Sequence, residues 1–186
     1  MPLPTAVTSR DLVTISGASV PIPDPDCLVH LQFRRFAGCP VCSLHLRSIV
    51  ARLEEIVAAD IREVVVFHSG AEDLRTYTGD LPLPVIADPG RVLYREFGVE
   101  SAPRALLDPR AWPAIVRAVA RELRASRRPG HIAPPTRPEG GRLGLPADFL
   151  IAPDGTVIAS KLGEHADDQW SVDELLAHAA RAEVRR

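Results

Sequence analysis

Gly38-Cys39-Pro40-Val41-Cys42 separates two segments of different hydrophobic period, and no other part of the sequence says as much about the fold. Residues 27–36, immediately before it, form a largely apolar run that is typical of a buried strand. Residues 43–59, after it, repeat apolar side chains at the spacing of an amphipathic helix. Pro40 suits the first helical turn, because an N–H at that position would have no partner inside the helix. The junction therefore predicts a strand that turns tightly into a helix, with a CxxC motif at the start of the helix.

The position of the CxxC motif predicts that its cysteines are redox-active. The first N–H groups of a helix are unpaired and carry the positive end of the helix dipole, and both effects favour a thiolate at Cys39. Such a position lowers a cysteine pKa from ~8.5 to roughly 3.5–7.5. Cys42 follows about one turn later, close enough to form a disulfide with Cys39. Arg34 and Arg35 point to opposite faces of the strand, so we expect at most one of them to add positive charge directly at the sulfurs.

Other uses of these cysteines stay open. Buried cysteines also occur as small apolar side chains that happen to lie near one another. A zinc site is a sharper alternative, because Cys27 and His30 together with Cys39 and Cys42 form a CxxH…CxxC pattern that offers four ligands. Residues three apart in a strand face opposite ways, which opposes convergence of the first two on one ion. His45, in the first turns of the helix, is a candidate for tuning Cys42 or carrying a proton.

Composition and charge exclude several classes of protein. The 186 residues contain 22 Lys and Arg against 24 Asp and Glu, a formal charge of −2 that argues against a nucleic-acid partner. No apolar run approaches the ~20 residues that span a bilayer, so we expect no membrane partner. The start, Met1-Pro2-Leu3-Pro4, lacks the basic and apolar regions of a secretory signal, and three cysteines are too few for a disulfide framework. These features predict a cytoplasmic protein.

The remaining segments predict an α/β sandwich with a mixed β-sheet, formed by a single domain over residues 1–186. The predicted elements are a hairpin over 11–23, a buried strand over 63–68, a short helix over 71–77, an extended piece over 84–88, a short helix over 89–97, a hairpin over 147–161 and a final helix that begins at a Ser171–Glu174 capping box. The sheet is expected to be parallel where helices cross over and antiparallel at the late hairpin.

Residues 101–144 are predicted to be an insertion in this domain. Its first half, 108–128, has a capping Asp108 and a helical apolar stripe. The stripe consists of Ile115, Val116, Val119 and Leu123. The arginines over 121–128 are expected to be solvated and to complement the negative end of the helix dipole, and the alternative is a role in docking an anion or a partner. Its second half, 129–144, is rich in Pro and Gly and is predicted to be a mobile surface loop.

Three stretches, in the same order along the chain, resemble the peroxiredoxin-like branch of the AhpC/TSA family, CxxC type, within the thioredoxin-like superfamily. They are Phe36-Ala37-Gly38-Cys39-Pro40-Val41-Cys42, residues 83–99, and Leu145-Pro146-Ala147-Asp148-Phe149-Leu150-Ile151-Ala152-Pro153-Asp154-Gly155. The resemblance implies a thioredoxin-like three-layer sandwich with a mixed β-sheet, an N-terminal β-hairpin, and a helical insertion before the C-terminal β-hairpin.

The resemblance also implies roles for individual residues. In the peroxiredoxin register Cys42 is the attacking thiol, Cys39 stands where a Thr is usual and Arg35 where a Pro is usual. In the thioredoxin register Cys39 attacks and Cys42 resolves, and the helix dipole together with the expected greater exposure of Cys39 favours this assignment. Pro40 belongs to the motif itself. Pro146 resembles the cis-proline that lies against the CxxC of thioredoxin-like folds and receives the substrate.

The expected function is that of a thiol oxidoreductase, either a peroxiredoxin-like thiol peroxidase or a thiol-disulfide oxidoreductase. One cysteine attacks a peroxide or a disulfide, the other condenses with it to an intramolecular disulfide, and a thioredoxin-like protein or a low-molecular-weight thiol restores the dithiol. No bound cofactor is expected, and a homodimer is plausible from the exposed sheet edges and from the family's habit. The alternatives are a redox-sensing or interaction protein on the same fold and the zinc-binding structural module.

Overall fold

The protein, seen in a computed structural model that describes residues 3–99 and 101–183, alternates strands and helices along the chain. The strands are β1 (Arg10–Val13), β2 (Ser19–Ile22), β3 (Leu28–Arg34), β4 (Ile61–Phe67), β5 (Val85–Ala87), β6 (Ala147–Ile151) and β7 (Val157–Leu162). The helices are α1 (Pro40–Ala51), α2 (Leu53–Ala58), α3 (Ala71–Thr78), α4 (Val92–Glu96), α5 (Arg104–Leu107), α6 (Trp112–Ala125) and α7 (Val172–Glu183), and a 3₁₀ turn covers Pro109–Ala111.

The main sheet has five strands in the order β5-β4-β3-β6-β7. β3 pairs in parallel with β4, and β4 with β5, whereas β6 runs antiparallel to both β3 and β7. The predicted mixed sheet is therefore confirmed, with parallel pairing where helices connect the strands. The predicted N-terminal hairpin is also present, and it forms a separate two-stranded sheet of β1 and β2.

Helices and the hairpin cover the two faces of this sheet, which gives the predicted three-layer sandwich. The apolar cluster on one face includes residues of α1, α3, α6 and α7, namely Leu46, Ile49, Leu74, Ala114, Ala118, Leu175 and Ala179. The cluster on the other face includes β2, α4 and the residue after α4, namely Val20, Ile22, Leu93, Tyr94 and Phe97. Every residue of β3 is buried, so the strand that leads into the CxxC lies at the centre of the protein.

The helix after the CxxC motif and the helix of the insertion differ in extent from their predictions, whereas the predicted cap of the last helix is present. The helix predicted over 43–59 is divided at Arg52, whose φ of −122° interrupts it. Asp108 caps the 3₁₀ turn by accepting the N–H of Arg110, and α6 begins only at Trp112. The capping box at α7 is confirmed, since Ser171 N–H donates to Glu174 at 2.8 Å and Glu174 N–H donates to Ser171 at 3.3 Å.

The orientation of α6 corrects three of the four residues of the predicted apolar stripe. Ala114 and Ala118 face the core, and the helix contacts α1. Val116 and Leu123 are 65% and 62% exposed, and Val119 is exposed as well. Alanines allow two helices to approach closely, so Ala114 and Ala118 make the core contact together with the partly buried Ile115, and the other three residues of the predicted stripe point outward.

Residues 129–144 contain no helix or strand, as predicted, but they contact the residues around the CxxC. Tyr77 donates its hydroxyl to the carbonyl of Ala133 at 2.9 Å, and Gly70 N–H donates to Glu139 at 2.9 Å. Arg35 and Arg91 donate to the carbonyls of Arg142 and Gly140. The segment therefore forms one border of the CxxC region.

Among the residues that the structure describes, no helix is both long and apolar enough to cross a bilayer.

Candidate functional site

The CxxC motif lies where β3 turns into α1. Gly38 has a φ of +74°, and a Cβ at this position would lie 2.8 Å from Pro135 and 2.9 Å from Tyr77, so glycine is required in the turn. Cys39 is the N-cap residue of α1, and its Sγ accepts the N–H of Cys42 at 3.4 Å. Pro40 is the first helical residue, as predicted. The sequence therefore places a sulfur where helix caps usually carry an oxygen.

Arg35 supplies positive charge at this sulfur. Its guanidinium Nη1 lies 3.7 Å from the Sγ of Cys39, and its Nη2 donates to the carbonyl of Arg142, which fixes the side chain. Arg34 points to the other face of β3 and donates to Asp148. The prediction that at most one of the two arginines acts directly at the sulfurs is therefore confirmed.

The two cysteines differ in their affinity for a proton. Burial alone raises the pKa of Cys39. The hydrogen bond from the Cys42 thiol, the Arg35 charge and the N–H groups of Cys42 and Val41 lower the pKa by more than burial raises it, and the resulting pKa is about 6. Burial and the hydrogen bond to Cys39 together raise the pKa of Cys42 well above its ordinary value. Both shifts favour a thiolate at Cys39 and a thiol at Cys42 near neutral pH.

The expected difference in exposure between the two cysteines is wrong. Cys39 is 3% exposed and Cys42 is 2% exposed, so hydrogen bonding and charge distinguish the two sulfurs. Both cysteines line a cavity of about 790 Å³. Solvent-exposed residues, such as Arg47 and Arg121, lie at the border of this cavity. Its walls come from α1, the end of α3, α6 and the segment after α6, and they include Leu46, Val50, Tyr77, Leu81, Ala118 and Ile132.

His45 does not line this cavity. It is buried, and its Nε2 lies 3.0 Å from Nη2 of Arg34, which donates to it. Burial and the Arg34 charge hold its pKa well below the ordinary value. The ring is therefore neutral and belongs to a buried polar cluster on the sheet.

Pro146 differs from its expected geometry. Within residues 3–99 and 101–183 the peptide bond before Pro23 is the only cis bond, so the predicted cis bond before Pro146 is wrong. The carbonyl of Pro146 accepts the N–H of Gly163 at 2.9 Å, an interaction at the sheet edge.

A buried polar cluster behind α1 was not anticipated from the sequence. Its members are His30, Gln32, Arg34, His45, Glu63 and Asp148. Nη2 of Arg34 lies 2.7 Å from Asp148, and His30 lies 2.8 Å from Glu63 and 3.2 Å from Asp148. The signal in the sequence was the alternation of His30, Gln32 and Arg34 along one face of an otherwise apolar strand.

The charges of this cluster compensate one another. Burial lowers the pKa of His30, but the carboxylates of Glu63 and Asp148 raise it to about 9. Burial raises the pKa of Asp148, but Arg34 and His30 hold it well below its ordinary value. The cluster thus holds an imidazolium and a guanidinium against a shared carboxylate beneath the helix that carries the cysteines.

The proposed zinc ligands do not come together. Both ring nitrogens of His30 contact carboxylates. Cys27 lines a different cavity from Cys39 and Cys42. In the described part of the chain, no three or more His, Cys, Asp or Glu side chains are arranged to hold a metal ion.

Comparisons with known proteins agree with this architecture. A sequence model of the family described as AhpC/TSA antioxidant enzyme matches residues 48–165. No protein with a curated description matches the sequence. The family match begins after Cys42, so it covers more than half of the chain but not the cysteine pair.

Solved structures show the same fold at low identity. Peroxidoxin BcpB from Mycobacterium tuberculosis is 16% identical, with a TM-score of 0.66 over 95% of this chain and 94% of that one. A cysteine-to-serine mutant of peroxiredoxin 6 of Arenicola marina is 16% identical, with a TM-score of 0.68 over 100% and 74%. A protein of Chlorobium tepidum, provisionally named thiol:disulfide interchange protein DsbE, is 17% identical, with a TM-score of 0.58 over 97% and 98%. The predicted thioredoxin-like fold is confirmed.

Proposed function

Because the chain belongs to the AhpC/TSA antioxidant enzyme family, we propose that it is a thiol oxidoreductase that reduces peroxides or disulfides with Cys39 and Cys42. The observation that carries the proposal is the position of Cys39 Sγ at the N-terminus of α1, within 3.4 Å of the Cys42 N–H and 3.7 Å of Arg35. A thiolate is the reactive form of cysteine, and these contacts make it available at neutral pH. Cys39 is therefore the attacking residue and Cys42 the resolving one.

With a peroxide, the Cys39 thiolate attacks one oxygen of the O–O bond. An S–O bond forms, the O–O bond breaks, and the leaving alkoxide takes up a proton as Cys39 becomes a sulfenic acid. Cys42 then attacks the Cys39 sulfur, forming the S–S bond and releasing water. The peroxide gains the two electrons that the two thiols lose.

With a disulfide, the same thiolate attacks one sulfur and forms a mixed disulfide. The first half of the substrate leaves as a thiol, and Cys42 then displaces the second half. Both routes end at the same Cys39–Cys42 disulfide. An external thiol, either on a thioredoxin-like protein or on a small molecule, returns the pair to the dithiol. Arg35 positions charge at Cys39, and Pro40 borders the cavity beside it.

Further proposals complete this description. Residues 1–186 form one domain in which 101–144 are an insertion, and the protein works in the cytoplasm, where thiol reductants are plentiful. It requires no bound cofactor because the sulfurs carry the electrons. A homodimer is proposed through the outer edges of β5 and β7, which the N-terminal segment pairs only in part, with the Ile15 N–H on Val85 and the Val157 N–H on Thr5.

Turnover is the test that separates an enzyme from a redox sensor. We expect the purified protein to consume many equivalents of an alkyl hydroperoxide or of a small disulfide when a thiol reductant is present. Consumption that stops at about one equivalent per chain, with reductant in excess, would instead indicate a sensor in which disulfide formation is the signal.

A further inference from the structure

We propose that the reductant of this site is a low-molecular-weight thiol that carries carboxylates, and that it enters the cavity beside Cys39. The inference rests on the proposed function and selects one of the two reductant classes that the function leaves open. It is carried by the burial of both sulfurs, by the volume of the cavity and by arginines at its border that have no acidic partner among the residues that the structure describes.

Access to the sulfurs favours a small molecule. Thiol–disulfide exchange requires the attacking sulfur to reach the disulfide directly. Cys39 and Cys42 are 3% and 2% exposed, so a cysteine on the surface of another protein cannot make this contact without displacing a wall of the site. The cavity of about 790 Å³ lies within the range of roughly 300–1,000 Å³ that is typical of small-molecule sites.

The charge at the cavity border favours an anion. Arg47, Arg121 and Arg128 line the cavity, and none of them makes an ion pair with any residue of the described chain. Asp80 also lines it, and Glu122 is engaged by His131 at 2.5 Å. The cavity border therefore carries more positive charge from its three arginines than negative charge from the acidic groups beside them. Guanidinium groups bind carboxylates with paired, charge-assisted hydrogen bonds.

The spacing along α1 suits a thiol the size of a short peptide. Arg47 follows Cys39 by eight residues, which is roughly 12 Å along a helix axis, and Ser43 lies between them on the same cavity wall. Three extended residues span roughly 10 Å. A molecule of that length can place its sulfur at the disulfide and a carboxylate near Arg47. Arg121 and Arg128, for which the sequence left an anion-docking role as the alternative to solvation, supply the opposite wall.

The reduction is a two-step exchange. A first thiolate forms an S–S bond with Cys39, the Cys39–Cys42 bond breaks, and Cys42 leaves and takes up a proton. A second thiolate then attacks the sulfur of the bound small molecule, and Cys39 leaves as a thiolate. Two small thiols lose the two electrons that the protein disulfide gains. The low pKa of Cys39 makes it a good leaving group in the second step.

The test compares small thiols of similar size and different charge on the oxidised full-length protein. The probes are mercaptosuccinate, thioglycerol and cysteamine, and each rate is expressed per thiolate so that differences in thiol pKa are removed. We expect mercaptosuccinate to react about tenfold faster than thioglycerol, which corresponds to ~1.4 kcal/mol, and cysteamine to be the slowest. Added salt should reduce the difference.

Variants connect this preference to the arginines. Arg121→Gln combined with Arg128→Gln should bring the mercaptosuccinate rate close to that of thioglycerol and leave the thioglycerol rate unchanged. The matched control, Arg95→Gln on the exposed surface of α4, should retain the full preference. Circular dichroism checks that each variant is folded, and Arg47→Gln provides a third, independent removal of charge.

Failure of this inference differs from failure of the proposed function. Rates that depend on thiol basicity alone, or a thioredoxin that reduces the disulfide faster than every small thiol at equal concentration, would overturn the inference while the redox pair stands. Absence of any Cys39–Cys42 disulfide after oxidation with peroxide would overturn the proposed function itself.

Discussion

Cys39→Ser is expected to lower the rate of peroxide or disulfide reduction by at least ~10³-fold, because a serine hydroxyl is not ionised near neutrality and removal of an enzyme nucleophile can cost as much as ~10⁶-fold. The geometry that activates Cys39 consists of the Cys42 N–H at 3.4 Å and the Arg35 guanidinium at 3.7 Å. These groups cannot substitute for the sulfur itself. The measurement is the initial rate with substrate in excess and reductant present.

Cys42→Ser should have a different effect, and the contrast identifies the attacking residue. This variant retains the thiolate, so we expect one equivalent of substrate to be consumed, followed by accumulation of a Cys39 sulfenic acid or mixed disulfide that mass spectrometry detects. Cys27→Ser is the matched control, because Cys27 lies in a separate cavity, and it should behave as the wild type. A Cys39→Ser protein that still consumes its first equivalent would assign the attack to Cys42 instead.

Asp148→Ala is expected to reduce the free energy of unfolding by ~3–5 kcal/mol, because it leaves the buried Arg34 guanidinium without its carboxylate and leaves His30 with Glu63 alone. Asp148 contacts Arg34 at 2.7 Å and His30 at 3.2 Å, and all three side chains are fully buried. Its second oxygen accepts the N–H of Trp170 at 3.0 Å, so the residue also holds the segment before α7. Urea unfolding at neutral pH gives the value.

Asp173→Ala is the matched control for this loss. Asp173 also pairs with an arginine, Arg52 at 2.6 Å, but its side chain is 81% exposed and such pairs contribute little. Equal losses in the two variants would show that the buried cluster does not carry the stability assigned to it.

The dependence of the free energy of unfolding on pH is a second check on the same cluster. His30 has a raised pKa of about 9, so its contribution is complete below its unfolded value and is lost as pH rises through about 9.

Local sequence was sufficient to predict the parts of the site that depend on local rules. The turn at Gly38, the helix start at Pro40 and the N-cap position of Cys39 follow from residues within a few positions of one another. The same holds for the capping box at Ser171. Backbone geometry over such short spans is set by residue type, and the structure agrees with it.

Contacts between residues that are far apart in the sequence could not be predicted from local rules. Arg34 meets Asp148 across 114 positions of sequence, and His30 meets Glu63 across 33. The polar alternation in β3 was visible, but its partners come from strands whose register a single sequence does not specify. The choice of the buried face of α6 has a similar cause, because Ala118 and Val116 are both apolar and only the approach of α1 decides which one is buried.

The central claim is that Cys39 is a thiolate at neutral pH, and the rate of its alkylation by iodoacetamide as a function of pH tests this most directly. Peptide mass spectrometry follows each cysteine separately. Because the pKa of Cys39 is lowered to about 6, its rate should be half-maximal near pH 6 and constant above neutrality, and Arg35→Gln should move the midpoint to higher pH. A Cys39 rate that keeps rising with pH toward the ordinary pKa of a cysteine, or a Cys42 that reacts first, would contradict the account.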